Sequence, residues 1–479
     1  MSVLVVDVGT SGVRAALVHA DATVELVEHR PLLPSRPSPG VVELDGRALA
    51  ETILATATAA TSRGEIQAVA VANQRATTLV WDRATGEPIG EGIGWQDLRT
   101  TGQCMALRAK GHRLAPNQSA TKLAYLLDRH DPTRTRRLCF GTIDTFAAWV
   151  LSRGEVHVTD ATNAAVTGLV LEDASGWDLD RCEALNVDPE VLPAIVDSSG
   201  VVGLARALPG APPIAALVGD QQGSLVGQGC LAPGGAKATF GTGAMLDCVV
   251  GDDRPAFAVR GPAGTFPIVA WQLGGRPTWG VEAIMLSAGS CVEWLAHGLE
   301  LLRTVAESGP VAASVPDAGG ALFVPALGGL GTPLWDFGAR GTLVGLDAST
   351  TRAQVVRAVL EGIAHRGADL LEAVEEDAGR SIERLRVDGG MSANETFVRL
   401  LADALARPVE LAELLEATTL GAGILGGVAC GIWPSMEAAA TLVKPRAIVE
   451  PQGRLDRGRW LAARDRALRT VPFLSALDF

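Results

Sequence analysis

The chain has 479 residues, of which 47% are hydrophobic and 20% are charged, a composition that is typical of a globular protein and not of a disordered one. This length exceeds what one hydrophobic core usually fills, so it predicts two domains of roughly 200 residues or more each. The formal net charge of -13 argues against nucleic acid as a partner, because binding a phosphate backbone needs a basic surface.

The N-terminal segment MSVLVVDVGTSG lacks a basic leader and carries Asp7 inside its apolar run. A buried strand explains this pattern better than a signal peptide does, and the longest apolar runs fall short of the ~18–20 residues that span a bilayer. The seven Cys residues are scattered and form no CxxC pair. This pattern favours a reducing compartment and argues against a disulfide framework or a zinc site. We therefore predict a cytoplasmic protein that does not enter a membrane.

Two β-hairpins are predicted, one near the start of each half of the chain. Residues 3–8 and 13–18 are apolar, β-branched runs separated by a Gly-rich polar turn. The same pattern of strand, glycine turn and strand recurs at 237–240 and 244–250, around Gly241-Thr242-Gly243. This repetition indicates a duplicated architecture that holds a ligand between two similar domains.

Strand patterns alternate with helical ones along the rest of the chain, which indicates an α/β class. Further strands are predicted at 66–72, 214–219 and 384–387. Helices are predicted at 122–129, 352–378, 396–406 and 418–431. In the longest of these helices, one apolar face is formed by Val355, Val356, Val359, Leu360 and Ile363.

The first glycine turn carries groups that suit a nucleotide phosphate. Thr10, Ser11 and Gly12 offer converging N–H groups and hydroxyls without a large side chain. Asp7 ends the preceding strand and could hold Mg²⁺ through water, while Arg14 adds a fixed positive charge. A tight hairpin whose turn merely favours Gly and Ser is the alternative explanation of these residues.

Two later turns repeat this chemistry in the second half. The Gly241-Thr242-Gly243 turn could clamp phosphates from the opposite side when paired with the first turn, although a plain turn is the default explanation of this motif alone. In the segment DGGMSAN, residues 388–394, a strand meets two glycines before a helix. That order lets a flat ligand or a phosphate lie against the backbone, and an ordinary loop with a helix cap is the alternative.

Candidate acceptor-binding residues lie in the first half. Asp220 follows the apolar strand at 214–219 and is followed by Gln221, a pairing that suits a base beside a group that orients a hydroxyl. A helix cap is the alternative role of Asp220. Arg75 offers a fork for hydroxyl oxygens and Trp95 an apolar wall, whereas a surface salt bridge and core packing are their alternatives.

In this order, the motifs resemble the FGGY family of carbohydrate kinases, and within it the glycerol kinases most. The similarity runs along nearly the whole chain, from DVGTSGVRAAL through NQRATTLVWDRATGEP, GWQDLRT, FGTIDTFAAWVL, HVTDATNAAVTG, GDQQGSLVGQG, FGTGAM and WDFGARGTLVGL to LRVDGGMSAN. The resemblance implies the ribonuclease H-like fold of actin, hexokinase and Hsp70 ATPases, with two α/β domains that close over a cleft. Each domain would contain a mixed five-stranded sheet, residues 1–230 binding substrate and phosphate and residues 231–479 binding nucleotide.

The resemblance also implies ATP and Mg²⁺, with roles for individual residues. It makes Asp220 the catalytic base and agrees with Asp7 as the metal site. The ATP-binding residues would be Thr10, Ser11, Gly12, Arg14, Gly241, Thr242, Gly289, Glu293, Gly390 and Asn394. The acceptor-binding residues would be Arg75, Ala76, Trp95, Asn117, Asp220 and Gln221.

The sequence departs from glycerol kinases at three of these positions. Glu293 stands where they carry Gln, Ala76 where they carry Glu, and Asn117 where they carry Tyr. The last two changes remove a hydroxyl acceptor and an aromatic wall, so we expect a roomier pocket.

The leading hypothesis is therefore an ATP-dependent kinase whose acceptor is a small polyol or sugar larger than glycerol. One alternative is a glycerol kinase proper that has rebuilt its wall from other residues. Another is a catalytically silent regulator that binds a sugar or a nucleotide. The expected partner is a small molecule, with neither nucleic acid nor membrane, and a homodimer is the candidate assembly.

Overall fold

A computed structural model describes residues 1–413 and 416–478 of the chain. Up to residue 230, its strands are β1 Ser2–Gly9, β2 Gly12–His19, β3 Val24–Pro31, β4 Glu43–Leu44, β5 Ile66–Asn73, β6 Leu79–Asp82, β7 Gly92–Ile93, β8 Leu138–Gly141, β9 Val158–Asp160, β10 Ala194–Val196, β11 Ser199–Leu204 and β12 Pro213–Gly219. The helices of this half are α1 Gly46–Thr61, α2 Thr101–Arg108, α3 Ala120–His130, α4 Ile143–Ser152, α5 Ala161–Ala165, α6 Leu179–Ala184 and α7 Asp220–Gly227, with a 3-10 turn at Pro189–Val191.

The second half repeats the alternation of strands and helices. Its strands are β13 Ala236–Phe240, β14 Ala244–Gly251, β15 Phe266–Leu273, β16 Arg276–Met285, β17 Leu322–Val324, β18 Thr342–Val344, β19 Leu385–Asp388, β20 Val409–Ala412 and β21 Pro445–Val449. Its helices are α8 Gly289–Glu293, α9 Ser308–Ala313, α10 Arg352–Ala378, α11 Glu395–Leu405, α12 Ala417–Ala429, α13 Met436–Ala440, α14 Arg457–Ala467 and α15 Pro472–Ser475. Short 3-10 or π turns lie at Trp294–Gly298, Val305–Glu307 and Gly390–Ala393.

Both predicted hairpins and the predicted long helix are confirmed. β1 and β2 form an antiparallel pair, as do β13 and β14. Helix α10 spans Arg352–Ala378, where Thr351 and Gln354 form a capping box at its start. Gly379 ends this helix in the left-handed conformation, with a φ of 60°.

Two large mixed sheets organise the described residues. The first has the strand order β11-β12-β5-β1-β2-β3, and the second has the order β15-β16-β14-β13-β19-β20-β21. The expectation of five strands in each sheet is wrong, since these sheets contain six and seven strands. The additional strands β11, β15 and β21 each pair antiparallel at an edge, where they cover main-chain groups that an edge strand would leave unpaired.

Helices α7 and α12 join the two halves of the molecule through a glycine-lined contact. A Cβ atom added at Gly421 of α12 would lie 1.8 Å from the carbonyl oxygen of Gly223, and one at Gly227 would lie 1.9 Å from that of Ala417. These distances require glycine, because real Cβ atoms do not approach backbone so closely. Although α12 comes late in the chain, Leu425 of this helix shares a buried cluster with Val5 of the first sheet.

Within the described parts of the chain, no helix combines the length and the apolar character needed to cross a membrane. All seven cysteines are free thiols, and most of them are buried. Burial raises the pKa of several of these thiols, to about 12 for Cys230, Cys248 and Cys291. These three side chains therefore behave as small apolar groups of the core.

Candidate active site

The carboxyl ends of two neighbouring strands bring Arg75 and Asp220 together. β5 and β12 run parallel, with Asn73 opposite Gly219 in their register. Arg75 follows the end of β5, and Asp220 is the first residue of α7, directly after β12. The Nε atom of Arg75 lies 3.6 Å from Oδ1 of Asp220. Ligands of open α/β sheets characteristically bind in the crevice beyond such strand ends.

Asp220 does not act as the N-cap of the helix that it begins. The N-cap position of α7 is Gly219, and Oδ1 of Asp220 accepts a hydrogen bond of 2.9 Å from the backbone N–H of Gln221. Its side chain keeps 34% exposure. Withdrawal from solvent raises the pKa of this carboxyl, while the positive charges of Arg75 and Lys237 oppose the rise. This carboxylate can therefore accept a proton from a group in the crevice.

Arg75 and Gln221 are held by residues of the second half. The Nη2 atom of Arg75 donates a hydrogen bond of 2.5 Å to Oε2 of Glu282, and Lys237 Nζ donates one of 2.5 Å to Oε1 of Gln221. Met245 lies on the same side, its Sδ atom 3.9 Å from Nη2 of Arg75. The second sheet therefore forms one wall around Arg75 and Gln221.

Sequence reasoning missed these second-half residues, although a signal was present. Asp247 and Lys237 are the single charges of the apolar strands β14 and β13, and Glu282 stands among apolar residues of β16, six positions after Arg276. A charged side chain is seldom fully buried unless it is paired. Such isolated charges in apolar strands therefore indicate buried ion pairs, but they do not indicate which residues pair.

Trp95 lies beside the first glycine turn. Its indole Nε1 donates a hydrogen bond of 3.3 Å to Oγ1 of Thr10, and Thr10 in turn donates one of 3.2 Å to Oε1 of Gln74. The backbone N–H of Trp95 is held by the hydroxyl of Thr77 at 3.2 Å. Thr10, a predicted phosphate contact, and Trp95, a predicted acceptor contact, are thus direct neighbours.

Two of the three departures from the glycerol kinase pattern, Ala76 and Asn117, lie in neighbouring segments. Ala76 is buried and left-handed, with a φ of 61°, and its carbonyl accepts a hydrogen bond of 3.1 Å from the hydroxyl of Ser119. Ser119 is two residues from Asn117, whose side chain is exposed and whose carbonyl accepts from Nζ of the buried Lys122 at 3.2 Å. The hydrogen bond from Ser119 thus joins the two segments that carry these departures.

Asp7 and Arg14 face each other across the β1–β2 hairpin. They are opposed in its register, and Nη1 of Arg14 lies 3.5 Å from Oδ2 of Asp7 and 3.4 Å from Oε2 of Glu416. Burial raises the pKa of Asp7 to about 7, and the negative charges of Asp220 and Glu416 add to the rise against the opposing effect of Arg14. Asp7 thus lies in a pocket with a surplus of negative charge.

The environment of Asp7 fits a magnesium ion that is held mainly by phosphates and water. In the described parts of the chain, no group of three or more His, Cys, Asp or Glu side chains is arranged to hold a metal. Mg²⁺ does not require such a cage, because it is usually bound through one or two carboxylates together with substrate phosphates. Asp7 could supply one such carboxylate.

The predicted nucleotide turns of the second half pack against one another. The N–H of Gly289 donates a hydrogen bond of 2.9 Å to the carbonyl of Gly241. A Cβ atom at Gly389, which has a φ of 87°, would lie 2.5 Å from the carbonyl oxygen of Phe240. The Gly241-Thr242 turn, the start of α8 and the Gly389-Gly390 turn therefore form one continuous glycine surface.

Two further predicted nucleotide residues lie at the rim of this surface. Asn394 is the N-cap of α11, where its Oδ1 accepts a hydrogen bond of 3.1 Å from the N–H of Phe397. Its Nδ2 donates to the hydroxyl of Ser308 at 3.1 Å. Glu293 is exposed at the end of α8. The cap role that was the alternative for the DGGMSAN segment is thus present in the structure.

Comparison with known proteins gives a consistent result over most of the chain. The N-terminal domain of the FGGY family of carbohydrate kinases matches residues 2–227, and the C-terminal domain of that family matches residues 236–430. A protein named glycerol kinase from Trichlorobacter lovleyi is 40% identical over 461 residues, which cover 92% of each chain. One from Alkalilimnicola ehrlichii is 41% identical and covers 93% of this chain and 94% of its own.

Solved structures agree with these relatives. The Plasmodium falciparum glycerol kinase with ADP superposes with a TM-score of 0.88 at 26% identity, covering 100% of this chain and 99% of its own. The xylulose kinase from Rhodospirillum rubrum has a TM-score of 0.83 at 22% identity, covering 99% and 100%. The predicted two-domain fold of the actin and hexokinase type is thereby confirmed.

Proposed function

The chain belongs to the FGGY family of carbohydrate kinases and is an ATP-dependent phosphotransferase with an alcohol acceptor, and we propose that this acceptor is glycerol. The observation that carries the proposal is the identity of 40% and 41% to proteins named glycerol kinase, over more than nine-tenths of each chain. A larger acceptor, our first expectation, rests only on Ala76 and Asn117. The xylulose kinase from Rhodospirillum rubrum, at 22% identity, supports the fold alone.

In the proposed reaction, Asp220 is the base. A glycerol hydroxyl loses its proton to Oδ2 or Oδ1 of Asp220 as its oxygen forms a bond to the γ-phosphorus of ATP. The bond between that phosphorus and the bridging oxygen breaks, and ADP leaves with the electron pair. Arg75 and Gln221 hold the hydroxyls, while Trp95 packs against the carbon atoms.

The phosphate side of the proposal uses the glycine turns of both halves. Thr10, Ser11, Gly12 and Arg14 would contact the phosphates from the first half, and Gly241 and Thr242 from the second. Asp7 would hold Mg²⁺, whose charge would offset that of the phosphates. The surface around Gly289, Glu293, Gly390 and Asn394 would hold the adenosine.

Two features of the wall near Arg75 support glycerol in spite of Ala76. Glu282 accepts a hydrogen bond of 2.5 Å from Arg75, so a carboxylate of the second half holds this guanidinium although position 76 carries none. Met245 places an apolar side chain against the same guanidinium, and methionine adapts to small apolar surfaces. A site that had been rebuilt from the second sheet would have these properties.

The remaining parts of the proposal concern organisation and location. We propose that the domains divide between residues 230 and 231, since the first sheet uses strands up to Gly219 and the second begins at Ala236. We also propose a cytoplasmic location, for which the seven free thiols are the supporting observation.

A coupled assay of ADP release tests the choice of acceptor. The purified chain is supplied with ATP, Mg²⁺ and, in separate reactions, glycerol, four- and five-carbon alditols and ketoses. The proposal predicts the highest kcat/KM with glycerol. A higher kcat/KM with a larger polyol would restore the first expectation. Nucleotide binding without turnover of any polyol would instead favour the silent regulator.

A further inference from the structure

Three neighbouring strands of the second sheet carry a row of charged side chains that the reaction above does not use. Lys237 of β13 is directly opposite Asp247 of β14, and Asp247 is directly opposite Glu282 of β16. We call these three residues the charged row. All three are buried, and Asp247 and Glu282 are like charges placed opposite each other, an arrangement that destabilises a sheet. A buried row of this kind needs compensation from neighbouring charges.

Lys237 fixes the orientation of the Gln221 side chain. Its fully buried Nζ atom has three oxygens within 3.0 Å: Oε1 of Gln221 at 2.5 Å, Oδ2 of Asp247 at 2.7 Å and Oγ1 of Thr239 at 3.0 Å. An ammonium group donates and never accepts, so the oxygen of the Gln221 amide must face Lys237. The Nε2 group of Gln221 must therefore face away from Lys237.

That orientation leaves Gln221 with a free donor. No hydrogen bond joins its Nε2 atom to a residue in the described parts of the chain, and its side chain is only half-buried. A primary amide whose oxygen is engaged can still donate two hydrogen bonds. Gln221 is thus prepared to donate to a hydroxyl oxygen beside Asp220, the preceding residue.

Glu282 fixes the orientation of the Arg75 side chain, as Lys237 fixes that of Gln221. Its Oε2 atom accepts from Nη2, while Nε of Arg75 points toward Asp220 at 3.6 Å. The third nitrogen, Nη1, is buried and has no hydrogen-bond partner among the described residues. Because the guanidinium is planar, fixing Nη2 and Nε also fixes the direction of Nη1. A buried donor without a partner is costly unless a ligand or water satisfies it.

We propose that the charged row positions the two acceptor contacts, Lys237 acting through Gln221 and Glu282 acting through Arg75. The inference rests on the proposed function, since it assigns these two side chains to the acceptor. Lys237, Asp247 and Glu282 are positioning residues, because none of them touches the acceptor itself.

The proposal links acceptor binding to the phosphate side of the cleft. Lys237 lies four residues before Gly241 on β13, the strand that leads into the second phosphate turn. Arg75 and Gln221 belong to the first half of the chain and their partners to the second half, so both donors are oriented only while the two halves are in contact. An acceptor therefore meets its complete set of donors in the closed cleft.

A double-mutant cycle tests whether Lys237 acts through Gln221. Lys237→Met would leave Asp247 unpaired, so the variant is Lys237→Met with Asp247→Leu, which removes both charges of the buried pair. We expect it to raise the acceptor KM by about 10-fold, the upper value of one hydrogen bond between the neutral Gln221 amide and a hydroxyl. The KM for ATP should stay within about threefold, a split that a general loss of structure does not produce. In a Gln221→Ala background, the same change should alter the acceptor KM by less than about twofold.

A second double-mutant cycle tests whether Glu282 acts through Arg75. It compares the effect of Glu282→Gln on the acceptor KM in the wild type and in an Arg75→Met variant. Asp369→Asn is the matched control, because Asp369 forms a buried ion pair with Arg366 outside this cluster. The control should lower the melting temperature and leave the acceptor KM unchanged.

A folded Lys237→Met, Asp247→Leu protein with the wild-type acceptor KM would overturn the inference, as would an equal effect in the Gln221→Ala background. The acceptor in every arm is the polyol that the wild type uses best. If that polyol is not glycerol, the proposed function fails while the positioning of Gln221 and Arg75 is still tested.

Discussion

At the scale of single residues, Asp220 combines a carboxylate that is open to the crevice with a pKa that burial raises. Asp220→Asn keeps the size of the side chain and removes its ability to take a proton. We expect kcat to fall by about 10²- to 10⁴-fold, the usual contribution of a general base. ATP binding, measured by calorimetry, should stay within about threefold. Activity close to that of the wild type would exclude Asp220 as the base.

The pH profile gives a second test of Asp220. A base must be ionised, so kcat/KM should fall as the pH drops through the pKa of Asp220 in the free enzyme. Because that pKa is raised, the fall should be centred above 3.8, the ordinary value for an aspartate. Activity that persists unchanged below pH 3.8 in a folded protein would contradict this assignment.

The burial of the Asp7 carboxyl is expected to lower the stability of the folded protein at neutral pH. Its folded pKa of about 7 exceeds the ordinary value of 3.8, so the folded protein binds more protons and its stability falls as the pH rises from about 4 to 7. Asp7→Asn should therefore raise the free energy of unfolding at pH 8 by a few kcal/mol, at ~1.4 kcal/mol per pKa unit. At pH 4 it should have little effect.

Urea unfolding at the two pH values measures this difference. In the same variant, the Mg²⁺ concentration that gives half-maximal activity should rise, because a carboxylate near the metal is lost. Equal stabilities of variant and wild type at pH 8 would show that Asp7 is not strained by its burial.

Ala76 has a left-handed backbone that glycine adopts more readily. Ala76→Gly should therefore leave stability unchanged or raise it by up to ~1 kcal/mol, since relief of this strain offsets the added freedom of the unfolded chain. Ala57→Gly, in the middle of α1, is the matched control and should lower stability by about 1 kcal/mol or more. A loss of equal size in both variants, measured by urea unfolding, would show that Ala76 is not strained.

At the scale of elements, the contact between α7 and α12 depends on glycine. Gly421→Ala would place a Cβ atom 1.8 Å from the backbone of Gly223, so the helices must separate. We expect a loss of about 1–3 kcal/mol in the free energy of unfolding, the usual effect of overpacking. Gly176→Ala is the control, because no atom lies within 4 Å of the added Cβ. Equal stabilities of the two variants would contradict a close helix contact.

Patterns within one element were readable from the sequence, whereas pairings between distant strands were not. Helix α10 was predicted with both ends as observed, because its periodicity and its terminal glycine lie in one stretch of chain. Glu282 and Asp247 were visible as isolated charges. Their meeting with Lys237 depends on the register of three strands that are separated by loops, and no local pattern encodes that register.

In the candidate site as well, some features follow from a local sequence pattern and others do not. Asp220 and Arg75 are candidates from the sequence because each follows an apolar strand within a recognisable motif, and the structure places them side by side. The left-handed conformation of Ala76 could not be predicted, since alanine gives no sign of it. The edge strand β21 was missed as well, because it gains its partner β20 only after the intervening chain has folded.

At the scale of the whole molecule, each half contributes groups to the proposed site. The first sheet carries Asp7, Arg75 and Asp220 at the ends of its strands, and the second carries the glycine surface and the charged row. Arg75 and Gln221 reach across to Glu282 and Lys237. Phosphoryl transfer is therefore expected only when the halves meet, which also excludes water from the transferred group.

Transfer of a labelled phosphoryl group to glycerol tests the central claim most directly. The chain would be given ATP labelled in the γ-phosphoryl group together with equal concentrations of glycerol and a five-carbon alditol, and the labelled products would be separated by chromatography. The account predicts that the label appears mainly in glycerol phosphate and that Asp220→Asn slows its appearance by about 10²- to 10⁴-fold. Label that is found mainly in the alditol phosphate, or only in inorganic phosphate, would contradict it.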